Sequence, residues 1–341
     1  MIAQRGLTLV ELDARASESV KPYGIITADC SNPHEYDDGI SVTPLPSAQE
    51  LYKVSVFAAD TSGMYFNEDT VKRVLKRTES RYRNPHSRTE TYEPMLEEEQ
   101  IQKTHFASGT IRSALVVSFI IGQMYPPDNV SISFGNVEVL KNYEYRKFGN
   151  KCKDEPGFKK YGRAAAFILH HLGTEYSDDE EAVHQSLIRV PQDESWQRGS
   201  NINQAFMVGA NHLVAKTMQA EGRLAIYRTH DKRGATYAEL IPPEFAMYST
   251  TPGYHQGLDL SPYSRVTSPL RRGEDFMMHG LLRARQKDRD LTGRDYDRIT
   301  TMVQRLNQRI VSDIFQGVTG SEGQRPRQRW ANHSGLHAVG E

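Results

Sequence analysis

Apolar residues recur along this chain with two different periods, and the change between them divides it. Between residues 23 and 66 the apolar runs are short and rich in β-branched residues. Ile25–Thr27, Ile40–Val42 and Tyr52–Ala58 read as strands. Residues 68–77 read as a short charged helix, followed by a polar stretch with many Arg and Tyr through about 93. Two more strands are predicted at 111–123 and 130–140, with Pro126-Pro127 as the turn between them. Beyond them the apolar spacing becomes three and four, so 158–172, 200–220, 274–288 and 295–316 are predicted amphipathic helices. Segments 175–198 and 229–268 read as irregular. Sheet first and helices later argues for one α/β (α+β) domain on a mixed sheet, and against an alternating Rossmann pattern.

The expected organisation is an N-terminal extension at 1–22, a main domain at 23–316 and a tail at 317–341. The tail holds little apolar material and clusters Arg325, Arg327 and Arg329, which predicts a flexible basic segment. Charge is balanced, 42 basic against 43 acidic side chains in 341 residues, so any basic surface must be local. Cys30 and Cys152 are the two cysteines and suggest no disulfide framework. With no apolar leader and no stretch of membrane-spanning length, the expectation is a cytoplasmic protein that does not enter a membrane.

Candidate chemistry begins in the first strand pair. Asp29, Glu35, Asp37 and Asp38 stand in the spacing D-x5-E-x-D-D on a Pro-containing loop between two predicted strands. Carboxylates crowded on one loop repel each other unless cations neutralise them. Hard oxygen donors without His or Cys suit Mg2+, with Mn2+ as the alternative, and such loops serve metal-assisted phosphodiester chemistry. A solvated acidic turn is the other reading of the same spacing.

A second constellation runs from Tyr263 to His279. Thr267-Ser268-Pro269 is a predicted turn and cap for a helix beginning near Leu270, which would put Arg271 and Arg272 in its first turn. Cations there oppose the helix dipole. Pairing with phosphate accounts for them, and a salt bridge to Glu274 or Asp275 is the competing account. Tyr82, flanked by Arg81 and Arg83, is either a base-stacking platform for single-stranded nucleic acid or an ordinary surface or core residue. His170-His171, His230 and His255 read as packing and hydrogen-bonded histidines, and Asp178 to Glu181 as a solvated helix start.

Taken together these pieces resemble the catalytic RNB domain of the ribonuclease II family. Ile26-Thr27-Ala28-Asp29 through Asp37-Asp38-Gly39-Ile40-Ser41-Val42 is similar to the family's acid motif, and Val56 through Ser62 to the strand that follows it. Arg77 through Tyr82 and Pro94-Met95-Leu96 stand in place of R-x-x-S-x-Y and P-M-L-P. Phe206 through Asn211, Tyr227 through His230, and His255 through Leu258 with Tyr263 through His279 complete the series in family order, over roughly 23–315.

The resemblance implies a mixed sheet wrapped by helices around a narrow RNA channel. It implies a hydrolytic exoribonuclease that degrades single-stranded RNA from the 3′ end to 5′-mononucleotides with Mg2+. By matching position, Asp29, Glu35, Asp37 and Asp38 would be the metal-site carboxylates, with Asp37, Asp38 and Arg271 catalytic. Tyr82, Arg271 and Arg272 would contact RNA. The sequence departs from the pattern at several of its positions. Glu35 replaces an Asp, Ala205 a Glu, Phe57 a His, Gly273 a Tyr and Gly280 an Arg, and the stretch Met302 to Phe315 has no counterpart to a functional glutamate. The family's flanking cold-shock and S1 domains are expected to be missing, so that capture of RNA would be weak and salt-sensitive, or would depend on a protein partner supplying such domains. The competing function is a catalytically impaired RNA-binding relative acting as a subunit or regulator. A DNA-active nuclease is a third reading, suggested by Ala205 alone.

Overall fold

The structure is a computed structural model; it describes residues 23–30, 33–47, 49–82, 92–173, 194–231, 240–241 and 245–319. The expected extension at 1–22, Asp178 to Glu181, and the basic cluster at 325–329 lie outside the described residues.

Five strands close into a barrel: β1 (Tyr23–Asp29), β2 (Asp38–Pro44), β3 (Leu51–Ala59), β6 (Ile111–Gly122) and β7 (Tyr125–Glu144), in the order β1-β2-β3-β6-β7. Neighbours are antiparallel except β1 and β7, which run parallel from Tyr23 opposite Val137 to Asp29 opposite Glu144. The sheet is therefore mixed, as predicted. Closure satisfies the backbone groups that an open sheet leaves at its edges. All nine residues of β3 are buried, as expected where a strand is covered on both faces. Phe57, which replaces a His in the resemblance, is fully buried with its ring 5.7 Å from that of Tyr23.

The β6–β7 hairpin corrects one prediction. Its turn is Gln123-Met124, because Gly122 pairs with Tyr125, and Pro126-Pro127 lie inside β7. Proline has no N–H to give a ladder, and the β6–β7 register is irregular between Ser118 and Gly122.

Helices pack around the barrel. The first, α1 (Glu68–Arg77), occupies the predicted residues. The Asn67 side chain caps it by accepting from the Thr70 N–H at 3.0 Å, with Glu68 and Asp69 in the first turn and Lys76 and Arg77 in the last. A short α2 (Glu98–Thr104) follows, then α3 (Tyr145–Asp154), α4 (Pro156–His171), α5 (Glu194–Ala220), α6 (Gly273–Gln286) and α7 (Gly293–Thr319). In α4, His171 hydrogen-bonds the Gly122 carbonyl through Nε2 at 2.9 Å. The last helix runs past the expected domain boundary at 316.

Two features of the helical layer were not predicted. Helix α3 crosses α5 at glycines: a Cβ on Gly149 would stand 1.9 Å from the Ser195 carbonyl oxygen, and one on Gly199 2.0 Å from that of Tyr145. Glycines that look like helix breakers in sequence are here the condition of close approach. The departures at 273 and 280 have the same cause. A Cβ at Gly273 would meet the Met302 methyl and the Thr78 carbonyl at 2.7 Å, and one at Gly280 the Tyr65 ring at 2.2 Å.

His279, on α6, is fully buried between Val266 and Thr61. Its Nε2 lies 2.8 Å from the Val266 carbonyl, and Nδ1 faces the Thr61 N–H at 3.4 Å, which suits the neutral ring. Burial pushes its pKa down to about 4.

Two outcomes follow from this packing. Gly149→Ala should cost about 3 kcal/mol in denaturant unfolding, since both facing atoms are backbone. As pH falls below the ordinary histidine value the unfolded chain binds a proton that folded His279 refuses, so stability drops from about pH 6.5 towards about pH 4. Between pH 7 and 5 the wild type should lose about 2 kcal/mol more than His279→Gln, read from urea midpoints at the two pH values.

Candidate active site

The acids sit where the barrel ends meet the helical layer. Asp29 is the last residue of β1, Asp38 the first of β2, and Glu35 and Asp37 lie on the connection between them. Strand pairing fixes the frame: Asp38 lies opposite Ala58, and the Ala59 N–H donates to the Asp37 carbonyl at 2.8 Å.

From the other end of the chain, Ser268 to Arg271 form a turn, and α6 begins only at Gly273 with Arg272 as its cap residue. This corrects the expectation of a helix starting near Leu270. Arg271 is thereby outside the first helical turn, and its side chain reaches Asp37 instead. The Asp37 carboxylate accepts from the Leu270 N–H through Oδ1 and from Arg271 Nε through Oδ2, each at 2.8 Å. A second guanidinium nitrogen of Arg271 donates to Ser268 Oγ at 2.9 Å. The Arg271 side chain remains 43 % exposed while that of Asp37 is 3 % exposed, so one partner is buried and the other still opens to solvent.

Arg272 takes the competing sequence reading. It pairs with Asp275 at 3.0 Å and donates to Thr267 Oγ1 at 3.4 Å. Buried beside it, Glu274 accepts from the Tyr248 hydroxyl at 2.8 Å and faces Arg265 at 3.5 Å. Arg272 thus supports the site from behind. The backbone of Tyr82 lies in β4 (Arg81–Tyr82), paired with β5 (Tyr92–Glu93) so that Tyr82 faces Tyr92 across the ribbon. Its side chain, and Arg83, lie outside the described residues.

The carboxylates feel one another. Burial pushes Asp37 up to about 7, with relief from Arg271 and an opposing push from Glu35. Burial raises Asp38 well above the usual carboxylate range, and Asp29 and Asp37 add to it. Asp29 is raised by burial too, against the pull of Arg271. Such a cluster is deficient in positive charge, and its donors are all hard oxygens, the set that suits a small divalent cation. Asp29 and Asp38 are the members least committed to the protein: Asp29 accepts from the Cys30 N–H through Oδ1 at 2.8 Å. Glu35 accepts from the Tyr92 hydroxyl through Oε2 at 2.7 Å, and Asp37 is bonded through both oxygens. Among the described residues, no three acid, His or Cys side chains close around one point tightly enough to cage an ion. The donors fit a divalent ion in kind and in charge; a cage would require Asp29, Asp38 and Glu35 to draw in.

Two residues at this site carried no signal in the sequence. Tyr92 holds Glu35, and its ring stacks on His34 at 4.1 Å with 2° between planes. Tyr145, the first residue of α3, follows directly on Glu144, the register partner of Asp29. Its ring packs edge-on against Trp196, and burial beside Asp29 and Asp38 raises its pKa well above the ordinary phenol value. Strand register alone brings it there. His230 is hydrogen-bonded as expected of a structural histidine, whereas the buried Nδ1 of His255 has no hydrogen-bond partner among the described residues. Their rings touch at 4.9 Å, and His230 Nδ1 accepts from the Gln256 N–H at 3.0 Å. Ala205, in place of the glutamate, is buried in α5.

No protein-family model and no curated protein matches the chain. Solved structures do. RNase R of Mycoplasma genitalium in complex with ribose-methylated single-stranded RNA superposes with a TM-score of 0.68 at 16% identity, covering 92% of this chain and 58% of that one. An active-site mutant of the Dss1 exoribonuclease of Candida glabrata gives 0.67 at 18%, covering 87% and 44%. Yeast Ssd1, a pseudonuclease, gives 0.61 at 15%, covering 89% and 46%. The fold is therefore RNB-like: a mixed α/β domain with a five-stranded sheet and surrounding helices. The chain spans about half the length of these structures. Among the described residues no helix is long and apolar enough to cross a membrane.

Charge crowding at the acids should be visible without any substrate. In EDTA at pH 7.5, Asp38→Asn removes a buried charge from beside Asp29 and Asp37, so its Tm should lie several degrees above that of the wild type in differential scanning fluorimetry. An equal or lower Tm would show that Asp38 is not repelled.

Proposed function

We propose that the protein is a hydrolytic 3′-to-5′ exoribonuclease on single-stranded RNA, releasing 5′-nucleoside monophosphates with Mg2+, or with Mn2+ as the alternative ion. The observation that carries this reading is the contact of Arg271 with Asp37 at 2.8 Å across 234 positions of sequence, inside a cluster of four acids. A guanidinium and a carboxylate cluster joined in this way suit a phosphodiester: one side neutralises phosphoryl oxygens, the other holds cations. The RNB-like fold, shared with the Dss1 exoribonuclease and with RNase R in complex with single-stranded RNA, supports the same reading.

Asp29 and Asp38 would hold the ion, with Glu35 beside them and Asp37 orienting Arg271. Such an ion supplies a water of lowered pKa and neutralises charge on the leaving 3′ oxygen. Arg271, fixed by Asp37 and Ser268, presents its exposed edge to a phosphoryl oxygen without first having to be ordered. Arg272, paired with Asp275, contributes potential from behind and no direct contact. Tyr82, on the ribbon beside this site, would stack on a base near the 3′ end. Backbone and stacking contacts are blind to sequence, so little base preference is expected.

A second reading is a catalytically impaired relative that binds RNA as a subunit or regulator. Two observations favour it: the likeness to the pseudonuclease Ssd1, and the two acids, Glu35 and Asp37, already engaged by protein donors. One assay separates the two. With a 5′-labelled oligoribonucleotide and Mg2+ or Mn2+, the nuclease reading expects shortening from the 3′ end that EDTA stops. Asp38→Asn should slow it by roughly a thousandfold or more, and Arg271→Ala by about a hundredfold. RNA retained on the protein but uncut under both metals would instead establish the second reading.

A further inference from the structure

Glu35 is the one acid of the four that departs from the resemblance, and a side chain from a separate element holds it. Its Oε2 accepts from the Tyr92 hydroxyl at 2.7 Å. The anchor is firm. Tyr92 belongs to the β4–β5 ribbon, and the segment after it is tied into the core: the Met95 N–H donates to Ser80 Oγ at 2.9 Å, Arg73 Nε donates to the Met95 carbonyl at 3.0 Å, and Met95 and Leu96 are fully buried. His34, next to Glu35 in the chain, lies flat against the Tyr92 ring. The same ribbon reaches the other side of the site, where the Ser80 N–H donates to the Arg271 carbonyl at 3.0 Å.

We infer that Tyr92 is a positioning residue for the acid cluster: its hydroxyl fixes the orientation of the Glu35 carboxylate beside Asp29 and Asp37, where it would serve a divalent ion. A glutamate has one more rotatable bond than an aspartate, hence more freedom to lose on binding. An outer hydrogen bond to one carboxylate oxygen removes that freedom and orients the other, and such partners are typically worth ten- to a hundredfold in metal affinity. Tyr92 thereby makes the longer acid serve at this position.

This inference rests on the acids binding a divalent ion, and the test separates the two. Mn2+ binding is measured by the loss of the free-ion electron paramagnetic resonance signal for wild type, Tyr92→Phe, Glu35→Asp, the double variant and Asp38→Asn, with the Tm of each in EDTA as the check on folding. Tyr92→Phe keeps the ring stacked on His34 and loses only the hydroxyl. The expected result is a Tyr92→Phe Kd weaker by about tenfold at unchanged Tm, and no further loss when the same change is made in Glu35→Asp, whose shorter side chain falls short of the phenol. Equal losses in both backgrounds, or no loss in either, would overturn the role of Tyr92 while leaving the metal site standing. Wild-type binding no tighter than that of Asp38→Asn would overturn both.

Discussion

The contact between Asp37 and the turn at Leu270-Arg271 decides how the two halves of this molecule meet. Asp37 belongs to the barrel, and the turn belongs to the helical layer 233 and 234 positions later. Two charge-directed hydrogen bonds converge on one buried carboxylate, which fixes both distance and orientation. Closing so long a loop costs chain entropy, and that cost grows only slowly with length. The apolar burial of α6 and α7 offsets it: Phe276, Met277, Met278, Ile299 and Met302 are fully buried. The ion pair therefore selects one docking among those that apolar burial alone would permit. If Asp37 lost its charge, Arg271 would lose its place as well.

Much of the frame is readable from the chain because it depends on local pattern. The capped helix at 68–77 carries its Asn67 cap and its charge polarity within ten residues, and the strands at 25–27 and 52–58 carry period and β-branching. The acids, too, are local, since one strand–loop–strand segment holds them all. Barrel closure is not, because the parallel pairing of β1 with β7 joins residues more than a hundred positions apart and shifts register between Ile25 and Ile26. The glycine crossing of α3 and α5 is equally hidden, since Gly149 weakens the helical pattern it belongs to. Arg271 shows the limit most sharply. The motif around it was legible, yet the helix start was displaced past Arg272, and that displacement is what releases the side chain towards Asp37.

Tyr92 and Tyr145 illustrate a different limit. Neither stands in a recognisable motif, and each gains meaning only from what lies opposite: Glu35 for one, the register partner of Asp29 for the other. A tyrosine at the edge of a short ribbon and one at a helix start are ordinary in any sequence. Here both phenols lie buried near carboxylates, which raises their pKa further and leaves each a donor in a field of acceptors.

The balance between nuclease and pseudonuclease turns on charge that the fold leaves uncompensated. A fold selected only to bind RNA backbone would gain nothing from burying several acids together, because acids repel phosphates. Among the described residues the Asp38 carboxylate shows no hydrogen-bond partner, and burial with Asp29 and Asp37 opposes its ionisation. Structural acids in this molecule look different. Asp60 receives Ser62, Ser113 and Arg283 and is held below the usual carboxylate range, and Asp295 receives Thr292, Arg289 and Tyr65 and falls to about 2. The contrast is between acids held below the usual carboxylate range by their partners and acids pushed above it by burial and by one another, and that second condition is what the proposed cation would relieve.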